Sequence, residues 1–382
     1  MRLNNLTLLN FRNYNDITLD FSPGVNIFIG NNGSGKTNIL EGIYVLSLTK
    51  SNRLGTDVDL IKYNCQQLKI EGNVSYGDYA KNYQVYIDKF AKRVYINKFQ
   101  IKKISDYISN FCVTSFMPHD IEVIKGSPSQ RRNLLNIQIG TLYNNYLNYV
   151  NEYNSILKMR NEYLKRLNVN AMADIKYLDI INQKLLDISI KIYQFRFFYV
   201  REINKLLPSV YKKLTGIADV KIEYVNNLDL ESFNEEKIRE ILINKWKKNL
   251  NKEMMQGVTL NGLHRDDLVF LVNNRDSKYF SSQGQQRLIV IAYKICELLI
   301  FKKIKGEYPV LLLDDIFSEI DIKKRNNILK FFKKDIQVII TTTDINDISE
   351  DLVKDSKVFK VINGEIKSKG GRKNGRKSTR KL

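Results

Sequence analysis

Cysteine and histidine are nearly absent from this chain, with three and two residues among 382. Cys65, Cys112 and Cys296 are odd in number and widely spaced, so they match no zinc or redox spacing and read as buried thiols in a reducing cytosol. His119 and His264 have no partner at metal-ligand spacing. Long apolar runs are missing too. No stretch approaches the roughly 20 residues of a membrane span, and Met1-Arg-Leu-Asn-Asn-Leu contains no apolar signal core. The expectation is a cytoplasmic protein with no membrane segment. Acid is in deficit: 41 Asp and Glu face 61 Lys and Arg, for a net charge of +20. Eight of those cations, and no acid, lie in residues 367–382, and removing them leaves +12. Such an excess points to a polyanionic partner, nucleic acid before a membrane surface. A bias toward Lys, Asn, Ile and Tyr, of the kind an AT-rich genome imposes, supplies part of it.

What is present is organised around Val25 to Thr37, read V-N-I-F-I-G-N-N-G-S-G-K-T. An apolar run, Val25 to Ile29, leads into G-x-x-x-x-G-K-T, with Gly30, Gly35, Lys36 and Thr37 at the fixed positions and Asn31, Asn32, Gly33 and Ser34 between them. A helix-like run from Asn38 follows. Strand, glycine-rich loop and helix in that order are what a phosphate-binding loop requires. Its backbone N–H groups form a concave anion site at the positive end of the helix. Lys36 is a mobile charge for the β- and γ-phosphates, and the Thr37 hydroxyl suits Mg²⁺. ATP and Mg²⁺ are the expected cofactors.

The rest of the chain alternates in character. Leu6 to Phe11, Ile17 to Phe21 and Val25 to Ile29 read as short strands, and a second β-rich region spans residues 68–96, so an antiparallel sheet should flank the nucleotide core. From Ser127 the period becomes helical. Leu142, Tyr146, Tyr149, Tyr153, Ile156, Tyr163 and Leu167 recur at three/four spacing, with Arg160 interrupting, and a second stripe runs from Leu178 to Tyr199. Two such stripes joined by a short turn imply an antiparallel hairpin, each arm about 30 residues and about 45 Å long at 1.5 Å per residue. A further helix is expected over 235–250. The Gly-Arg-Lys tail of 367–382 lacks apolar periodicity and is expected to be disordered.

Later motifs complete a nucleotide site. Val310-Leu-Leu-Leu-Asp314-Asp315 is a buried-strand run ending in two acids, with Asp314 placed to hold Mg²⁺ and Asp315 to accept a hydrogen bond or proton from an attacking water. Ser281-Ser282-Gln283-Gly284-Gln285-Gln286-Arg287 precedes a helix-like run, so Ser282 and the Gly284 backbone offer donors at a helix N-terminus. This string resembles the signature of the ABC-type ATPases, in which it meets the γ-phosphate held by a second subunit. Phe317 to Asp321 resembles that superfamily's dimer-contact loop. After Gln337-Val-Ile-Ile-Thr-Thr-Thr343 the usual switch histidine is missing, and Thr342, Thr343 or Asp344 stands in its place.

The order of these motifs is the split-head layout of the SMC-like ATPases, and local strings narrow it. Phe11-Arg-Asn-Tyr, Met117-Pro-His-Asp120, Lys125-Gly-Ser-Pro-Ser-Gln-Arg-Arg132, Gly262-Leu-His-Arg-Asp-Asp267, Ser282-Gln-Gly-Gln-Gln-Arg and Leu313-Asp-Asp-Ile-Phe-Ser-Glu-Ile-Asp resemble the RecF family of DNA replication and repair proteins over about residues 1–366. Leu263 stands where that family usually has proline, and the basic tail lies outside its pattern. The resemblance implies an α/β fold: an ABC-type P-loop ATPase head with a flanking antiparallel β-sheet and an inserted helical arm. The divisions are 1–125 (first part of the head), 126–250 (helical insertion), 251–366 (second part of the head) and 367–382 (basic tail). It also implies ATP-dependent binding of single-stranded, gapped or junction DNA, an ATP-dependent homodimer with slow hydrolysis, RecO and RecR as partners, help in loading RecA, and support of SOS induction. Lys36, Asp314 and Asp315 are the expected catalytic residues. Residues 30–37 with Ser282, Gly284 and Gln285 are the expected nucleotide contacts, and Thr37 with Asp314 the metal ligands. A DNA-tethering ATPase of the SMC kind would need longer heptad runs, and a transport-type cassette would need a membrane partner. Lys125, Arg131 and Arg132 stay open between phosphate contacts and a solvated helix start, and the 264–267 string between a nucleotide sensor and a salt-bridged turn.

Overall fold

The computed structural model describes residues 1–53, 55–169, 174–216, 219–316, 325, 328, 331, 335–348 and 350–369. They divide into two compact units, one of residues 1–118 and 306–382, the other of residues 119–305.

The first unit is built on two six-stranded sheets. One has the order β2-β1-β4-β5-β6-β7, all antiparallel, from β1 (Arg2–Phe11), β2 (Tyr14–Asp20), β4 (Gln67–Tyr76), β5 (Tyr79–Asp88), β6 (Lys92–Ile96) and β7 (Phe99–Ile101). The other has the order β15-β14-β3-β13-β12-β8, from β3 (Val25–Ile29), β8 (Val113–Phe116), β12 (Val310–Asp314), β13 (Val338–Thr342), β14 (Lys357–Ile362) and β15 (Glu365–Lys369). Four of its five pairings are parallel; the fifth, β14 to β15 at one edge, is an antiparallel hairpin. Such strands are covered on both faces and read as near-continuous apolar runs. Val310–Asp314 and Val338–Thr342 are buried at every position. Alternation in β4 and β5 instead buries one face, with Leu68, Ile70, Val74, Tyr83, Val85 and Ile87 in the core. Helix α1 (Lys36–Leu48) contacts strands of both sheets, and its Ile39, Leu40, Ile43 and Leu46 join one apolar cluster with Leu3, Leu8, Phe28 and Leu312. The helix that follows the phosphate loop is thereby fixed along its length.

The second unit is mainly helical. α5 (Tyr146–Val169) and α6 (Ile175–Thr215) form the antiparallel hairpin, but its arms are unequal, 24 and 41 residues. The apolar stripe of the second arm does not stop at Tyr199. Ile203, Leu207, Val210 and Leu214 continue it and are buried, so the helix runs on beneath the hairpin. A three-stranded sheet, order β11-β10-β9, comes from β9 (Val220–Val225), β10 (Asp267–Val272) and β11 (Arg275–Asp276). The other α-helices of this unit among the described residues are the short α3 (Glu122–Lys125) and α8 (Ser277–Phe280) and the longer α4 (Pro128–Leu142), α7 (Glu235–Gln256) and α9 (Gln283–Lys305); the short α2 (Ile104–Ile108) belongs to the first unit. Residues 251–305, assigned from sequence to the ATPase head, cluster with the inserted helices, because β10 pairs with β9 and α9 packs along α6. The dimer-contact string Phe317 to Asp321 and the tail beyond Lys369 lie outside the described residues.

Candidate nucleotide site

In the first unit the loop Gly30 to Gly35 leaves β3 and enters α1 at Lys36. Gly35 has φ 111°, a left-handed value that favours glycine, and a Cβ there would lie 2.7 Å from the Tyr14 hydroxyl. A Cβ at Gly30 would lie 2.3 Å from the Val361 carbonyl oxygen of β14. Both positions admit no side chain. Asn31, Asn32 and Gly33 are exposed on the loop, and the Ser34 hydroxyl is buried with no hydrogen-bond partner among the described residues. By helix geometry the first N–H groups of α1 have no acceptor within the helix. Lys36, only 6% exposed, folds back over the loop, donating to the Gly30 carbonyl at 2.7 Å and the Asn31 carbonyl at 3.0 Å. Burial lowers its pKa, against the opposing pull of Asp315 and Asp314. This is a cation held ready for a ligand by neutral carbonyls.

Opposite the loop, the strand order puts β13 between β3 and β12, and parallel register sets Asp314 beside Thr341. Asp314 Oδ1 accepts from the Thr37 hydroxyl at 3.0 Å and the Thr341 hydroxyl at 2.6 Å. The chain turns sharply after the strand. Asp315 takes φ 48°, its N–H facing the carbonyl and hydroxyl oxygens of Thr341, each at 3.2 Å. A non-glycine residue in that region stores strain of the kind found at functional sites. Lys36, Thr37, Asp314 and Asp315 thus lie together at the end of the central strands. Thr341 joins them although no motif pointed to it; the signal lay in the strand register. Of the switch candidates, the Thr342 hydroxyl donates to the Asp344 carbonyl at 2.8 Å, and Asp344 caps the turn at Asn346 N–H, 2.9 Å away.

A frame around the loop was also missed. Glu41, wholly buried in α1, accepts from Arg12 at 3.0 and 2.6 Å and from Ser51 at 2.6 Å. This fixes the turn after β1, from which the Tyr14 hydroxyl donates to the Gly35 carbonyl at 3.0 Å and Asn13 Oδ1 accepts from Asn38 at 2.8 Å. A cavity of about 640 Å³ opens beside them, lined by Asn13, Tyr14, Lys62 and Gly364 among others.

Ser282, Gly284 and Gln285 lie in the second unit, at the start of α9. The Gln285 side chain accepts from Ser282 N–H at 2.9 Å while Ser282 Oγ accepts from Gln285 N–H at 3.3 Å, a reciprocal cap. Gln283, Gly284 and Gln285 are exposed, and the space around Gly284 is open. Of the residues left open at 125–132 and 264–267, Lys125 is exposed, while the others make contacts within the fold. Arg131 is buried and forked onto Asp267 at 2.7 and 2.6 Å, and Arg132 donates to the Asp266 carbonyl at 2.8 Å. The His264 ring is held by the Tyr153 hydroxyl at 2.8 Å and the Thr259 carbonyl at 2.9 Å, and burial pushes its pKa down to about 4. No cluster of metal-ligating side chains of three or more occurs among the described residues.

The family model for the RecF/RecN/SMC N terminal domain matches residues 2–367. Curated relatives agree: the DNA replication and repair protein RecF of Staphylococcus carnosus is 36% identical over 96% of this chain and 100% of its own length. The chain belongs to the RecF family. The RecF of Lactobacillus johnsonii is 35% identical over 97% of this chain and its whole length. A solved recombination mediator protein RecF with ATP, from the RecFOR pathway, superposes with a TM-score of 0.88 at 31% identity, covering 96% of this chain and 97% of its own. An SMC head bound to the C-winged helix domain of ScpA, 15% identical with a TM-score of 0.55 over 96% and 97% of the two chains, shares the fold. The ABC-type α/β architecture expected from the sequence is the one observed. No described helix is long and apolar enough to cross a membrane.

Proposed function

We propose that this RecF-family chain is an ATP-driven DNA-binding switch of recombinational repair and replication, acting at single-stranded, gapped or junction DNA. The observation that carries the nucleotide half is the cluster of Lys36, Thr37, Asp314 and Thr341 around a loop that admits no side chain at Gly30 or Gly35. The residues fit ATP and Mg²⁺. A buried Ser34 hydroxyl lacks a partner among the described residues, Lys36 rests on neutral carbonyls, and a hydroxyl and a carboxylate oxygen converge as a hard divalent ion prefers. When bound, these groups supply the phosphoanhydride and its counter-charge. Lys36 then holds phosphate oxygens, Thr37 and Asp314 hold the ion, and Asp315 orients a water. Ser282, Gly284 and Gln285 serve a second copy's nucleotide, so ATP binding is read out as dimerisation and slow hydrolysis reverses it. The exposed, capped start of α9 supports this assignment. By family membership, RecO and RecR are its partners, loading of RecA and SOS induction its downstream effects, and the cytoplasm its place. Sedimentation of the full chain tests the reading. ATP should dimerise the wild type and leave Ser282→Arg monomeric with its ATP binding intact; unchanged dimerisation of Ser282→Arg refutes the shared site.

A further inference from the structure

Two tight turns at one end of the antiparallel sheet hold aromatic rings out in water. β5 and β6 are joined by Asp88-Lys89-Phe90-Ala91, where Asp88 N–H donates to the Ala91 carbonyl at 3.0 Å and Asp88 Oδ1 accepts from the Phe90 and Ala91 N–H groups, each at 2.8 Å. Phe90, at the tip, is 97% exposed. Register places Asp88 opposite Gln67, next to the turn that precedes β4. That turn is closed by Cys65 N–H on the Lys62 carbonyl at 3.0 Å, with Asn64 at φ 64°, and it presents Tyr63 at 87% exposure. Lys62, Tyr63, Cys65 and Lys89 line one open cleft of about 410 Å³ between the two turns. Rings held in water by hydrogen-bonded turns forgo the stabilisation of burial.

The charge of this rim is positive on balance. Asp57 is paired with Lys92 at 2.7 Å and Asp88 with Arg93 at 2.5 Å, while Asp59 is exposed and turned onto its own loop, accepting from the Thr56 N–H at 2.6 Å. Lys89 forms no ion pair among the described residues, and Lys62 donates to the neutral Asn13 carbonyl at 3.0 Å. Two lysines without an acid partner therefore stand beside two exposed rings, against the single unpaired acid Asp59. Aromatic faces interleaved with cations suit unpaired bases on a phosphate backbone, because every base offers a face for stacking while a duplex hides it. We propose that this rim binds single-stranded DNA, with Tyr63 and Phe90 stacking on bases and Lys62 and Lys89 meeting phosphates. It deepens the DNA-binding reading above and rests on it. The rim also adjoins the phosphate loop, since Asn13, which Lys62 contacts, holds Asn38 in the first turn of α1 at 2.8 Å.

Fluorescence anisotropy of the full chain with ATP tests this, using a fluorescein-labelled thymidine oligonucleotide of about 30 residues, enough for several stacked bases, and a duplex of equal length, across a salt series. Tyr63→Ala with Phe90→Ala should weaken oligonucleotide binding about tenfold or more with an unchanged salt slope and unchanged duplex binding. Lys89→Ala should make the slope shallower by about 0.7, the value for one lost single-strand phosphate contact. Retained ATP binding and melting temperature confirm that both variants fold. The proposal is overturned if the aromatic variant binds the oligonucleotide within twofold of wild type, if it loses both probes equally, or if it loses ATP-dependent self-association instead. A wild type that binds neither probe overturns the DNA reading itself; equal binding by wild type and variant overturns only this rim.

Discussion

Thr341 is the residue whose role follows most directly from strand register, and its replacement by valine is a clean perturbation. The side chain is wholly buried and valine is nearly isosteric, so β13 keeps its packing. What is lost is the 2.6 Å hydrogen bond to Asp314 Oδ1 and a share of the bond from Asp315 N–H, which keeps the Thr341 carbonyl at 3.2 Å. A hydrogen bond to an ionised carboxylate is worth about 1.5–3 kcal/mol, and Asp314 keeps only the Thr37 hydroxyl among its described partners. If Asp314 must be oriented for hydrolysis, the rate should fall roughly 10- to 150-fold, the same energy expressed as a rate. ATP binding should change little, because Lys36 and the loop are untouched. Thr341→Ser, which restores the hydroxyl, should recover most of the rate. Steady-state phosphate release and equilibrium ATP binding on the three proteins decide it. Wild-type turnover by Thr341→Val would show that the hydroxyl serves the strand alone.

Lys36→Met removes the cation that Gly30 and Asn31 hold in place, and should weaken ATP binding by about two orders of magnitude, the loss of a charge-assisted contact of roughly 3 kcal/mol; equilibrium dialysis measures it. Arg160 and Glu253 are both wholly buried and paired at 2.7 Å, so Arg160→Met should cost about 3–5 kcal/mol by stranding a carboxylate. Adding Glu253→Leu should recover much of that in calorimetry, and a double variant less stable than the single one contradicts the account. His264 is held neutral, with a folded pKa of about 4 below its ordinary 6.5, so its contribution is complete above pH 6.5 and is lost as pH falls toward 4. Burial raises Asp266 to about 6, an opposing effect whose contribution is complete below the ordinary carboxylate pKa and is lost as pH rises through about 6. His264→Gln should therefore lessen acid destabilisation between pH 6.5 and 4, read as urea midpoint against pH.

Local pattern made the nucleotide half of the fold legible. Val25–Ile29 appears as the strand its apolar run announces, and the loop's glycines announce the backbone they need. Long-range pairing was not legible. Arg160 reads as a break in an apolar stripe, yet it lies on that stripe's buried face, satisfied by Glu253, Asn182 and Thr259 from later parts of the chain. Arg131 and Arg132 look like a basic patch until Asp267 and the Asp266 carbonyl are brought against them. The three-stranded sheet of the second unit escaped because β9 and β10 pair across the intervening α7, and β11, with two residues, carries no period of its own.

The placement of α9 bears on how the proposed switch would be read out. The exposed Ser282 loop leads into its first residues, while further along Tyr293 meets α4 and Glu297 meets α6, with Lys294 paired to Glu297 on α9 itself. There the Tyr293 hydroxyl bonds to Gln138, Tyr199 reaches the same Gln138 oxygen at 3.3 Å, and Glu297 lies 3.5 Å from Tyr199 and 3.3 Å from Lys294. Burial pushes the Glu297 pKa up to about 7, so this carboxylate carries its charge at a cost and depends on those partners. An apolar helix interface can slide by a residue with modest loss; one pinned by buried, directional hydrogen bonds cannot, because each shift strands a donor or an acceptor. The Ser282 loop and α6 are therefore coupled through α9. Under the proposed shared site, closure on Ser282 would be transmitted along α9 to α6, and a displacement at α6 would be felt at the start of α9.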